Sequence, residues 1–441
     1  MKRIVFLIIL VSSIARAQTK YEKLVGNYME AQANVNHFSG SVLIMKKGKV
    51  LLRQAYGLAD REWNVPNTAD SRFRIGSLTK QFTAACILQL VEQKKLDLTD
   101  KLSRFFPGYP KGDSVTIHML LNHTSGIANY TDIRAFENVA PLPYSKDSIV
   151  RFFSDQPYNF SPGSRWSYSN SGYFLLGMIL EKVSGQSYGS YLQDHIFSRL
   201  SMNNTGEDRL DTILPMRSHG YSKMDNKYVN AQVISMEWPF SAGVLFSTVD
   251  DLYKWDRALY GTSILSEQSK QKMFSPGMRN YGYGVIIDSV EGHLRIWHNG
   301  GIPGFLSHIT RLVNDDICII VLSNNESNAD LIDAGLTNIL LDQAVILPYE
   351  HKEIKIDPSI LKNYTGKYTA GLTLEFIIKE NKLYRHRDGT ADILLIPESN
   401  TKFFYADGSD RQIEFEVDAS GKVVKTWFIN NGLKGEMKRI D

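Results

Sequence analysis

Ser77 and Lys80 stand three residues apart at the head of an apolar run, FRIGSLTKQFTAACILQLVE from Phe73 to Glu92, and together they could form an activated nucleophile. At positions i and i+3 of a helix the two side chains share one face, with Cβ atoms about 5–6 Å apart. Ser77 would also sit at the positive end of the helix dipole, which favours negative charge developing on its oxygen. No residue from Gln81 to Val91 is charged, so the helix is predicted to be buried nearly all round. A lysine opening such a helix is costly unless it has partners. Ser-x-x-Lys alone is a weak pattern. It recurs at Ser269/Lys272, Ser359/Lys362 and Ser399/Lys402, in charge-rich surroundings that read as surface. Serine is also a favoured helix cap, which is the competing role for Ser77.

Two later stretches bear on that choice. Tyr168-Ser169-Asn170 lies within SPGSRWSYSNSGYFLLG, and His298-Asn299-Gly300 within RIWHNGGIPGF. Ser-x-x-Lys, Tyr-x-Asn and a Lys- or His-x-Gly strand, in that order, resemble the penicillin-recognising serine hydrolases. The similarity is to the branch of class C β-lactamases, D-Ala-D-Ala peptidases, D-aminopeptidases and penicillin-binding-type esterases. The flanks LLNHTSGI (120–127), IFSRLSMNNTG (196–206) and SAGVLFSTVDDL (241–252) agree, and the resemblance covers about residues 21–345.

The resemblance implies an α+β fold like that of class C β-lactamases: an antiparallel sheet flanked by helices, with an inserted helical region. It makes Ser77 the nucleophile of an acyl-enzyme, with Tyr168 as the expected base and Lys80 beside it. A free tyrosine is a poor base at a pKa of about 10, and a nearby Lys80 ammonium would lower it. The alternative makes a desolvated, neutral Lys80 the base. Asn170 would hold the lysine and a substrate amide, and the backbone N–H groups of Ser77 and Gly301 would form the oxyanion hole. His298, Gly300 and Gly301 complete the implied substrate-binding set, with His298 in the place of a lysine. There is no Lys-Thr-Gly, no Ser-Asp-Asn and no class A deacylating glutamate to place. An unperturbed histidine is mostly neutral at pH 7, so a permanent cation for a substrate carboxylate is missing. The expected substrates are therefore small esters, D-amino-acid amides or cell-wall peptides. Alternatives are a β-lactamase or a penicillin-binding D-Ala-D-Ala carboxypeptidase, or a non-catalytic sensor or scaffold that keeps the fold.

One decoy needs weighing. Gly185-Gln186-Ser187-Tyr188-Gly189 matches the nucleophile elbow of α/β-hydrolases, but that elbow follows a strand. Here it follows an apolar helix predicted over Ser171–Val183, so Gly185 reads as a C-cap and Ser187 as the next N-cap.

The positioning elements follow from pattern. Residues 20–35 read as a helix, and Gly40–Met45 with Val50–Gly57 as a hairpin. Residues 77–260 are mostly helical, with Thr116 capping a helix through Leu121 and Thr248 one through Leu259. Strands return at Tyr283–Asp288, Leu294–His298, Ser307–Val313 and Ile317–Ser323, followed by a helix over Ala329–Ala344. Strands at both ends of the unit suggest one sheet completed by both. Pro348–Pro358 reads as a linker, and short strands between turn signals after it predict an all-β barrel or sandwich. The expected division is a signal peptide at 1–17, a hydrolase domain at 18–347, a linker at 348–358 and a β domain at 359–441.

The N-terminus, basic and then apolar with Ala15-Arg16-Ala17 before Gln18, has the form of an export signal, which implies a periplasmic or extracellular protein. The formal charge of +3 is carried by Lys2, Arg3 and Arg16, so the remainder is neutral and nothing points to nucleic acid. No later stretch is long and apolar enough to span a bilayer. Cys86 and Cys318 lie in apolar runs and read as core, with a disulfide possible. No metal-ligand or cofactor motif is present, and the expected partner is a small-molecule or peptide acyl substrate.

Overall fold

The computed structural model describes residues 20–224, 227–371 and 373–441; the expected signal peptide lies outside them. The chain divides into two compact units, Ser39–Asp333 and a second that gathers the chain up to Phe38 with Ala334–Asp441.

The first unit is built on a six-stranded antiparallel sheet. Its order is Ile286–Val290, His293–Ile302, Phe305–Leu312, Ile317–Ser323, Gly40–Lys46 and Lys49–Tyr56, so strands from both ends of the unit meet in one sheet as predicted. Ile317–Ser323, ICIIVLS, is buried at every position, which is why its sequence is continuously apolar rather than alternating. His293–Ile302 is a ten-residue strand and does not stop at His298. Past the predicted end, Gly300 pairs with Ser307 and Gly301 with Leu306. The neighbouring strand begins at Ile286, three residues later than expected.

Along the chain, the helices lie between the two sets of strands. Thr79–Glu92 is buried continuously from Thr79 to Leu90. Asn170–Ser184 is capped by Ser169 and closed by Gly185 at φ 73°. Ser187 then caps the next helix by accepting from Ser190 N–H, so the elbow motif is a helix end followed by a helix start. Gly177 lets Asn170–Ser184 approach Phe240–Gly243, because a Cβ there would lie 2.0 Å from Ser241 Oγ. Thr116 and Thr248 cap their helices as read. Ser269 is buried and part of a helix's first turns, so that Ser-x-x-Lys is not simple surface. Cys86 and Cys318 are both buried and free.

In the second unit, residues 20–34 are helical, and Lys20 and Tyr21 both bond Asp342, at 2.8 and 2.6 Å. Eight strands from Gly366–Thr369 to Leu433–Arg439 close into a barrel rather than a sandwich. Tyr368 pairs with Arg439 to seal it, and Phe376, Phe403, Phe415 and Met437 fill its core. Glu380-Asn381 turns with both residues at positive φ, the mirror-image hairpin geometry that matches strand twist. The stretch before Pro358 is fastened to this barrel, with His351 bonded to Glu398 at 2.6 Å and Ile354 N–H to the Pro397 carbonyl at 2.9 Å. No described helix is long and apolar enough to cross a membrane.

Candidate active site

Ser77 lies in the single 3₁₀ turn Gly76–Leu78 that runs into the helix Thr79–Glu92. No side chain caps either element, so the Ser77 hydroxyl is not spent on a backbone amide. Its Oγ lies 2.9 Å from Lys80 Nζ and accepts from the Tyr168 hydroxyl at 2.7 Å. The turn is clamped against the strand His293–Ile302. Gly76 adopts φ 50°, and a Cβ on it would stand 2.8 Å from Gly301 N. A Cβ on Gly300 would stand 2.1 Å from the Ile75 carbonyl oxygen and 2.4 Å from Ser307 Oγ. Ser307 Oγ itself donates to that carbonyl at 2.8 Å. Glycine at 76 and 300 is what lets the Ser77 turn and the strand meet backbone to backbone.

Lys80 is wholly buried. Its Nζ meets three atoms: Ser77 Oγ at 2.9 Å, Asn170 Oδ1 at 2.8 Å and the Ala242 carbonyl at 2.8 Å. Burial drives its pKa well below the ordinary lysine value. Asn170 is oriented in turn by its backbone N–H, which donates to Asn129 Oδ1 at 2.9 Å. Tyr168 moves the other way: burial raises its phenol above the ordinary value, and the bond to Ser77 offsets only part of this.

His298 is 2% exposed, and both ring nitrogens have protein partners. Nδ1 lies 2.5 Å from the Asn299 carbonyl and so must carry the proton, which leaves Nε2 to accept from the Tyr281 hydroxyl at 2.9 Å. Burial first, and Lys80 second, pull its pKa to about 3, so the ring is neutral. The structure thus brings Ser77, Lys80, Tyr168 and Asn170 into direct contact and sets Gly300 and Gly301 beside them. It places His298 6.3 Å from the Tyr168 ring, bonded to Tyr281.

Two elements carried no sequence signal of their own. The Ala242 oxygen is a main-chain atom, visible only as part of the flank SAGVLFSTVDDL. His123, in the flank LLNHTSGI, packs its ring 4.4 Å from that of Tyr168. Its Nδ1 accepts the Ser169 N–H at 3.1 Å, and its backbone takes φ 62°, uncommon for a bulky residue. A cleft of about 190 Å³ opens over Ser77, with Asn170, Tyr130, Thr131, Gln232 and Gly301 among its walls.

The β-lactamase family profile matches residues 22–343. The chain belongs to the β-lactamase family. Among β-lactamase-family relatives, penicillin-binding protein 4* of Bacillus subtilis (strain 168) is 31% identical over 404 residues, 85% of this chain and 89% of that one. The octameric penicillin-binding protein homologue of Pyrococcus abyssi is 27% identical with a TM-score of 0.67, covering 95% of this chain and 99% of that one. The D-amino acid amidase of Ochrobactrum anthropi SV3 is 25% identical with a TM-score of 0.64, covering 74% and 98%. In this β-lactamase-family chain, Asp60, Glu62 and His219 are the described side chains grouped closely enough to share a metal ion. Asp60 already accepts from Trp63 N–H, and Glu62 from the Tyr221 hydroxyl.

Proposed function

We propose that this chain is a serine hydrolase working through an acyl-enzyme on Ser77, with a neutral Lys80 as the base and Tyr168 as the acid. The observation that carries it is the Ser77 hydroxyl held between Lys80 at 2.9 Å and Tyr168 at 2.7 Å at the floor of a cleft. Two of the three Lys80 neighbours, Asn170 Oδ1 and the Ala242 carbonyl, can only accept hydrogen bonds. A neutral amine gives them its two N–H bonds, and its lone pair is left facing the serine. Desolvation favours that neutral form, and it equally keeps Tyr168 protonated.

Ser77 passes its proton to Lys80 as Oγ bonds to the acyl carbon. The carbonyl oxygen gains negative charge, which the Ser77 and Gly301 N–H groups stabilise. Tyr168 delivers a proton to the leaving group, and the proton held by Lys80 restores the tyrosine. Water in place of the leaving group runs the relay in reverse: Tyr168 passes its proton to Lys80 and takes one from the water as it adds to the acyl carbon, and Lys80 returns a proton to Ser77 Oγ as the acid is freed. Asn170 holds the lysine on one side and a substrate amide on the other.

The substrates of this reading are small esters, D-amino-acid amides or cell-wall peptides. Similarity to a D-amino acid amidase supports the amide member of that set. The second reading, a β-lactamase or penicillin-binding carboxypeptidase, is favoured by the relative called penicillin-binding protein 4*. A neutral His298 with both nitrogens engaged weighs against it, because a substrate carboxylate there finds no cation. We also read the chain as exported after loss of residues 1–17, with a hydrolase domain at 18–347 joined through 348–358 to a β domain at 359–441. Hydrolysis across a panel of p-nitrophenyl esters, D-amino-acid amides and a chromogenic cephalosporin tests the reading. Ester and D-amide turnover is expected, and an inert panel would contradict it.

A further inference from the structure

Two arginines face a second cavity beside the Ser77 cleft, and nothing in the chemistry above uses them. This cavity is about 290 Å³ and is lined in part by Arg74, Arg217, Asn230 and Phe305. It shares Gln232, Val233, Ile234 and Pro303 with the Ser77 cleft, so the two are adjacent. No aspartate or glutamate lines it. The counter-charge is Asp208, behind the wall with its side chain 1% exposed, which takes Arg74 Nε at 2.6 Å and Arg217 Nη2 at 2.7 Å. On another side, Asp60 stands 3.6 Å from the lining His219 and Glu62 bonds the lining Asn230, so the positive charge is local to the two guanidinium groups.

The two arginines are not equivalent. Arg217 Nη2 is committed further, to the carbonyls of Arg209 at 3.1 Å and Thr212 at 3.4 Å. Arg74 spends only Nε, and among the described residues neither of its terminal nitrogens has a hydrogen-bond partner. A guanidinium anchored this way presents a planar fork that matches a carboxylate.

The role read for Tyr168 sets which part of a substrate would reach it. Tyr168, the proton donor to the leaving group, and His298 near it line neither cavity. The acyl portion therefore extends the other way, towards Gln232 and Pro303. Arg74 is three residues before Ser77, so their Cα atoms are at most about 10–11 Å apart. His298 and Ile302 stand four residues apart on one strand, about 13 Å. The Arg74 guanidinium, 5.8 Å from the Phe305 ring, places a positive charge past Ile302 rather than at His298.

We propose that this second cavity is a subsite for a carboxylate carried on the acyl portion of the substrate and bound by Arg74. The proposal rests on the serine-hydrolase reading above. The test compares kcat/KM for mono-p-nitrophenyl esters of glutaric, adipic and suberic acids with neutral p-nitrophenyl esters of equal chain length. The subsite predicts at least a tenfold preference for the acidic ester at one length. The preference shrinks as salt is raised, is lost or inverted in Arg74→Glu and is partly kept in Arg74→Lys. Should Arg74→Glu fail to fold, the chain-length series and salt dependence of the unaltered protein decide alone. Turnover of neutral esters with no acidic preference at any length overturns the subsite and leaves the hydrolase reading intact. Failure to turn over any ester, with no labelling of Ser77, overturns both.

Discussion

Lys80 Nζ stands 2.9 Å from Ser77 Oγ, and its other two neighbours, Asn170 Oδ1 and the Ala242 carbonyl, have no proton to give. The serine is therefore the one neighbour of this amine that can donate. Lys80→Met keeps length and apolar bulk but removes the lone pair, and it is expected to lower kcat/KM by ~10²–10⁴-fold. Protonation abolishes the lone pair, so activity in the unaltered protein falls as pH drops through the lowered Lys80 pKa and is full above it. Lys80→Met loses that acid limb. A pH–rate profile of the variant that keeps the limb would assign it to another group.

Tyr168 donates to Ser77 and is held protonated by burial, which makes it an acid before it is a base. A p-nitrophenolate leaves without help, whereas an amide nitrogen must be protonated. Tyr168→Phe is expected to lose ~10²–10⁴-fold on a D-amino-acid anilide and much less on a p-nitrophenyl ester. Equal losses on both would make Tyr168 the base that activates Ser77.

With a pKa near 3, His298 stays neutral throughout the range where most hydrolases work. Esters are expected to be hydrolysed better than a cephalosporin, by the same ratio at pH 6 and pH 8. A cephalosporin rate that climbs at pH 6 relative to the ester would show that His298 gains charge there.

Gly300 and Gly301 are adjacent and yet face different constraints. A Cβ on Gly300 meets the Ile75 carbonyl at 2.1 Å, whereas on Gly301 the nearest atom is Leu306 Cδ2 at 3.5 Å, an ordinary contact. Gly300→Ala is expected to cost about 1–3 kcal/mol of stability by prising the strand from the Ser77 turn. Gly301→Ala is expected to melt like the parent protein. Thermal unfolding of the pair distinguishes them, and equal melting temperatures would contradict the clamp.

Much of this was legible in sequence because it rests on local pattern. The buried helix Thr79–Glu92, the caps at Thr116, Gly185, Ser187 and Thr248, and the sheet closed by both ends follow from periodicity and capping chemistry. The C-terminal strands were legible, but not their closure, which depends on Tyr368 pairing with Arg439 across some seventy residues. The strand His293–Ile302 ran past its predicted end because pairing with Phe305–Leu312 outweighs the turn preference of two glycines. In the candidate site, side chains announced themselves and main-chain atoms did not. Ser77, Lys80, Tyr168 and Asn170 form recognisable spacings, whereas the Ala242 carbonyl carries no residue-type signal. The protonation states of Lys80, Tyr168 and His298 follow from burial, which spacing does not reveal.

The most direct test of the account is covalent labelling of Ser77. Intact-mass spectrometry after treatment with a fluorophosphonate is expected to show one adduct on the unaltered protein and none on Ser77→Ala. An adduct that persists on Ser77→Ala, or one that maps to Ser187, would contradict it.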